Sequence, residues 1–160
     1  MIIDDIKKFD IFKDLEPIEI KKFLQFAQVK QYKNKEIIFQ QGDPGSGLFL
    51  ILKGKVEIYI EPGGNRISLA ILKEGEFMGE MSLFGDGNQT RTASALAYEP
   101  LTAVMISTLD FRRLQTSGPK ILSKLLLRLV MGLAVRYNKL KNEYNKVVAQ
   151  IEEAKKTRVA

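Results

Sequence analysis

Turn signals crowd the middle of this chain and thin out in its last third. Between Val29 and Ser107, short apolar runs are cut by Gly42-Asp43-Pro44-Gly45, by Lys53-Gly54 and by Pro62-Gly63-Gly64-Asn65. Val56, Ile58 and Ile60 alternate with polar neighbours, as do Ile67, Leu69 and Ile71. That is the period of a half-buried strand. Together with the runs 37–39, 48–52, 92–97 and 101–106, the spacing predicts about eight short strands in an antiparallel barrel or jelly roll. The expected fold class is mainly β with flanking helices, a jelly-roll or double-stranded β-helix barrel followed by a long C-terminal helix.

After Ser107 the period becomes helical. Ser107 or Thr108 can cap a helix through Phe111 and Leu114. Ser117-Gly118-Pro119 breaks it, and Pro119 suits the first turn of the next helix. In that helix Leu126, Val130, Leu133, Tyr137, Leu140, Tyr144, Val147 and Ile151 recur at alternating steps of four and three. This heptad seam is the pattern of a two-stranded coiled coil and predicts a homodimer. The alternative is a helix folded back on its own barrel. Before Tyr137 that alternative has ground, because Leu122, Leu125, Leu127 and Leu129 make the helix apolar all round. At the other end, 17–27 reads as a short amphipathic helix with Ile20, Phe23, Leu24 and Ala27 on one face and Pro17 in its first turn. The expected organisation is residues 1–118 for the lead-in helices, β-roll and short following helix, and 119–160 for the long helix with its basic tail.

Composition closes off several classes of function. The 160 residues include no cysteine and no histidine, which excludes thiolate catalysis, histidine general-base work and Cys/His metal sites. With 45% hydrophobic residues the core needs no disulfide or metal. The N-terminus carries acids where a secretory signal has bases, and the longest apolar cluster, 125–135, is interrupted by Arg128 and too short to span a bilayer. A cytoplasmic protein without a membrane partner is expected. The formal charge is +6, unevenly spread. Residues 120–160 hold ten Lys/Arg against three Glu, a net of +7, which leaves −1 for residues 1–119. A basic tail can touch nucleic acid, but a solvated helix face is the favoured reading.

Chemistry concentrates at Gly79-Glu80-Met81-Ser82-Leu83-Phe84, followed closely by Arg91-Thr92-Ala93. A carboxylate accepts from a sugar hydroxyl, and a guanidinium forks onto phosphate oxygens. The turn after Gly79 reads as a helix start whose amides face an anion. These groups suit a small ligand with both a phosphate and a ribose.

In their order and spacing, several stretches of the chain resemble a known family. Phe39-Gln40-Gln41-Gly42-Asp43, Leu52-Lys53-Gly54-Lys55-Val56, Phe77-Met78-Gly79-Glu80, Arg91-Thr92-Ala93 and Phe111-Arg112-Arg113-Leu114, with Pro119-Lys120-Ile121-Leu122 behind them, resemble the cyclic nucleotide-binding domain. That module is shared by the catabolite activator protein, the regulatory subunits of cyclic-nucleotide-dependent kinases and nucleotide-gated channels. The resemblance covers about 11–139 of the chain. It implies that Glu80 takes the ribose 2′-OH, that Arg91 holds the cyclic phosphate, and that Gly79, Met81 and Ser82 approach phosphate and ribose. It places Thr92 and Ala93 directly after the arginine. A threonine there can accept from the guanine amino group, and in the family it tends to favour cyclic GMP but also occurs in binders of cyclic AMP. Positions holding the base contacts fall on Arg136 and Tyr137, although Tyr137 also lies on the seam. An internal Glu80–Arg91 pair in a vestigial pocket is the alternative.

The resemblance implies no catalysis, no metal and no cofactor beyond cAMP or cGMP as regulatory ligand. The transcription factors of the family continue into a helix-turn-helix, for which this sequence offers no room. The expectation is therefore a sensor without an output domain in cis. It would signal through the C-terminal helix of a homodimer to a separate, unidentified protein effector. The rivals are a ligand-independent interaction module and a nucleic-acid-binding regulator that uses the basic helix.

Overall fold

The computed structural model describes residues 2–84 and 89–159, in two compact units, 1–124 and 125–160. Met1 and Ala160, the ends of the two expected segments, lie outside the described residues. The first unit is built on eight strands among the described residues. They are β1 (Ala27–Tyr32), β2 (Ile37–Phe39), β3 (Gly47–Lys53), β4 (Val56–Ile60), β5 (Ile67–Leu72), β6 (Phe77–Met78), β7 (Ser94–Ala97) and β8 (Leu101–Ser107). Two antiparallel four-stranded sheets result, in the orders β1-β8-β3-β6 and β2-β7-β4-β5. The expected roll of short antiparallel strands is the observed architecture.

Strand parity builds the core. Phe49 and Ile51 on β3, Met78 on β6 and Leu101 on β8 come from one sheet. Val56 on β4, Leu72 on β5, and Ala95 and Ala97 on β7 come from the other. Their side chains meet between the sheets and leave water together, at roughly 25 cal/mol per Å² of apolar surface. On β3 and β8 the alternate residues Leu48, Leu50, Val104 and Ile106 are buried as well. Both faces of the first sheet's centre are therefore covered, which is why residues 48–52 read as an unbroken apolar run. β5 is the opposite case, an edge strand whose residues are exposed up to Leu72.

The α-helices among the described residues are α1 (Ile2–Lys7), α2 (Pro17–Leu24), α3 (Thr108–Ser117) and α4 (Pro119–Val159), the last of which runs on into the second unit. Pro17 opens α2, and Glu16 and Glu19 form a reciprocal capping box. The helix ends at Leu24, short of the expected Ala27. Ala27 instead begins β1, where it pairs with Ile106 of β8, so the sheet ladder takes over its backbone. Ser107 caps α3, its Oγ accepting from the Asp110 amide at 3.0 Å. Gly118 ends α3 and Pro119 starts α4, as the sequence predicts. In the second unit Leu125 and Leu129 are buried, whereas Val130, Tyr137, Leu140, Tyr144, Val147 and Ile151 are exposed. Among the described residues no helix is long and apolar enough to cross a membrane.

Candidate functional site

The site starts from one glycine. Gly79 follows β6 with φ at 80°, the left-handed region that costs an L-residue about 1–2 kcal/mol. Space forbids a side chain there as well. A Cβ would stand 2.5 Å from the Gly47 carbonyl oxygen and 2.6 Å from Arg91 Nη1. The turn that follows, where the sequence reads as a helix start, is a single 3-10 turn over 80–83. The Ser82 amide donates to the Gly79 carbonyl at 3.1 Å, and Ser82 Oγ donates to the same oxygen at 2.7 Å. Both bonds span three residues, which tightens the turn. Leu83 anchors it in the interior, while Met81 and Phe84 are exposed.

Arg91 is clamped by its backbone before its side chain does anything. Its amide donates to the Asp43 carbonyl and its carbonyl accepts from the Gly42 amide, both at 2.8 Å. The Gly45 amide donates to the Gln89 carbonyl at 3.0 Å. The side chain then turns inward, and Arg91 as a whole is only 6% exposed. Its carbon lies 4.1 Å from the Phe39 ring centroid and 5.9 Å from that of Phe49. Nη1 donates to the Gly79 carbonyl at 3.3 Å, and Nη2 donates to Ser46 Oγ at 3.1 Å and to the Gly47 carbonyl at 3.2 Å.

These acceptors are all neutral. The buried Nε has no hydrogen-bond partner among the described residues. Burial lowers the Arg91 pKa from its ordinary value, while the charges of Glu80 and Asp43 oppose that drop. Hydrogen bonds to a charged group contribute about 1.5–3 kcal/mol each, and an aromatic face up to about 2. Desolvating an ion costs several kcal/mol. The carbonyls and rings thus hold the cation in place without neutralising it, and Nε remains a donor lacking an acceptor. Such a group fits a bound anion.

The other predicted residues fall in three places. Glu80 is half-buried on the turn with Gly79 and Ser82, next to Arg91 in the protein's electrostatics. Thr92 is exposed and Ala93 half-buried, directly after the arginine. Arg136 and Tyr137 lie on α4 in the second unit, where Tyr137 is 65% exposed.

The profile of the cyclic nucleotide-binding domain matches residues 29–117, more than half of the chain, from within β1 to the end of α3. The chain belongs to the cyclic nucleotide-binding domain family. It is 36% identical over 107 residues to the cyclic AMP receptor protein of Thermus thermophilus, covering 66% of this chain and 49% of that one. It is 32% identical over 111 residues to the cGMP-dependent protein kinase egl-4 of Caenorhabditis briggsae, covering 68% of this chain and 14% of the kinase. The chain spans about half the length of the bacterial receptor proteins it matches. The crystal structure of a cyclic nucleotide-binding domain from Methylobacillus flagellatus superposes with a TM-score of 0.77 at 27% identity, covering 89% of this chain and 79% of that one.

In this cyclic nucleotide-binding domain the sequence reading missed half of the arginine's setting. Phe39, Ser46, Gly47 and Phe49 all touch Arg91, yet none of the four is among the site residues that the sequence points to. A signal was present. Gly42, Gly45 and Gly47 crowd into six residues, the mark of a backbone that something approaches closely. A Cβ on Gly45 would overlap Ser82, and one on Gly47 would overlap the Ile106 carbonyl.

Proposed function

We propose that this domain is a cyclic nucleotide sensor. The cyclic phosphate sits on Arg91 and the Gly79–Ser82 turn, and Glu80 accepts from the ribose 2′-OH. The observation that carries this reading is the buried Arg91, held by neutral acceptors with Nε left over. Family membership makes a cyclic nucleotide the natural anion. Relatives whose names specify cyclic AMP and cyclic GMP both match, so the base is open. Thr92 and Ala93 follow the arginine and are assigned to the base side of the phosphate. The assignment of Arg136 and Tyr137 to the base rests on the sequence resemblance.

The output is proposed to run through α4. Its exposed seam, with Leu140 at 65% and Tyr144 at 66%, is the surface a second copy would cover. The homodimer then presents an altered helix face to a separate protein effector. Calorimetry with cyclic AMP and cyclic GMP tests the reading. At least one nucleotide should bind with micromolar or tighter affinity. Arg91→Lys, which keeps the charge but loses the fork, should weaken that binding by about 100-fold. Absence of heat and of any thermal shift with both nucleotides would overturn it.

A further inference from the structure

The bonds around Arg91 do not end at the pocket. The first residue of α3, Thr108, donates its amide to the Ser46 carbonyl at 3.2 Å. Its hydroxyl donates to the Ser82 carbonyl at 3.3 Å. Ser82 Oγ donates to the Gly79 carbonyl, which also accepts from Arg91 Nη1. Arg91 Nη2 donates to Ser46 Oγ. The circuit closes: Arg91, Ser46, Thr108, Ser82, Gly79 and back to Arg91. Thr108 therefore bonds both backbone segments that hold the guanidinium.

Helix capping does not account for the Thr108 hydroxyl. The first turn of α3 is already capped, because Ser107 Oγ accepts from the Asp110 amide and donates to Asp110 Oδ2. Thr108 spends its hydroxyl instead on a carbonyl 26 residues away, on the turn after Gly79. Likewise Ser46 spends its side chain on the arginine and its carbonyl on the helix. Ser46 thus faces the pocket with its side chain and α3 with its carbonyl, and Thr108 answers from α3 with both its amide and its hydroxyl.

We propose that Ser46 and Thr108 are positioning residues that tie the setting of Arg91 to the first turn of α3. An anion that draws the guanidinium from Ser46 and Gly79 loads the ring, and the ring passes that load to Thr108. The proposal rests on the reading of Arg91 as the phosphate-binding residue, but the ring itself is testable without a ligand. The ring thus reaches α3, the helix that leads through Gly118 into α4.

The test is residue-resolved amide exchange on the whole chain and on Thr108→Val, Thr108→Ser and Ser46→Ala, each with and without cyclic AMP or cyclic GMP. Without nucleotide, Thr108→Val should speed exchange at the Ser82 amide by about fivefold, the factor for losing one ordinary hydrogen bond, and leave the β3 and β8 amides unchanged. Thr108→Ser keeps the hydroxyl and should restore the parent rate. Ser46→Ala, altered only on its arginine side, should change exchange at the Thr108 amide. With nucleotide, the parent should slow exchange over 108–111, and Thr108→Val should lose that response while still binding. An unchanged Ser82 amide in Thr108→Val, or a full α3 response in that variant, overturns the proposal. A parent that binds neither nucleotide overturns the site reading and the ligand-driven half of the proposal. The ligand-free rates then decide the ring alone.

Discussion

Arg91 is 6% exposed and Leu140 is 65% exposed, the reverse of what charge and hydropathy dictate. The roll unit hides a cation, and the helical unit displays apolar side chains. Single exposed leucines are commonplace, and so is a buried ion with an ionic partner. Neither describes these two regions. The guanidinium rests on neutral carbonyls, a hydroxyl and aromatic faces, with one donor over. The apolar residues of α4 form a continuous heptad stripe, not scattered points. On the proposed reading each unit carries half of an interaction: the roll takes an anion, and the helix takes a second helix.

The strongest way to break the comparison is to remove the stripe. Leu140→Asp combined with Val147→Asp puts two carboxylates on the seam. Sedimentation should find the parent dimeric and the double variant monomeric, with association weakened by at least about 100-fold. Nucleotide affinity should survive. A monomeric parent would mean that the stripe serves something other than self-association.

A smaller effect is expected at Gly79. Gly79→Ala combines left-handed strain with contact against Gly47 and Arg91. Denaturant unfolding should show a loss of about 2 kcal/mol or more. A loss near zero would mean that the turn and the arginine are not packed as tightly as their geometry indicates.

The smallest effect belongs to a charge that does have its partner. Lys124 Nζ lies 2.6 Å from Glu19 Oε2 in the roll unit, half-exposed. The hydrogen bond from Lys124, and then the Glu16 amide, lower the Glu19 pKa below its ordinary value. A lowered folded-state pKa stabilises above the ordinary carboxylate range and is lost as pH falls through it. Glu19→Gln should therefore cost about 1 kcal/mol or less at neutral pH, and the cost should fade in acid. A penalty of several kcal/mol would mean that this partly exposed pair counts for more than a surface ion pair.

Legibility in the sequence follows the physics of each element. β4 and β5 can be read because Val56, Ile58, Ile67 and Leu69 alternate with polar neighbours. β1 escapes because it lacks an apolar run and its place is set by pairing with β8. β6 escapes because two residues, Phe77 and Met78, carry no period. Gly79 and Arg91 stand out as residue types with few other reasons to occur together in that order. Ser46 and Thr108 do not, since a serine and a threonine in loops are ordinary until the fold brings them against Arg91 and Ser82. Local chemistry is legible from the chain, whereas the ring closes only through contacts between positions 45 and 26 residues apart.

The central claim is that Arg91 waits for a phosphate. The most direct measurement is the nuclear magnetic resonance signal of the Arg91 Nε–H, assigned by its loss in Arg91→Lys, during titration with cyclic AMP and with cyclic GMP. The account predicts a downfield shift and slowed solvent exchange as Nε gains an acceptor, at saturation matching the calorimetric affinity. A nucleotide that binds while this signal stays where it was would contradict the account.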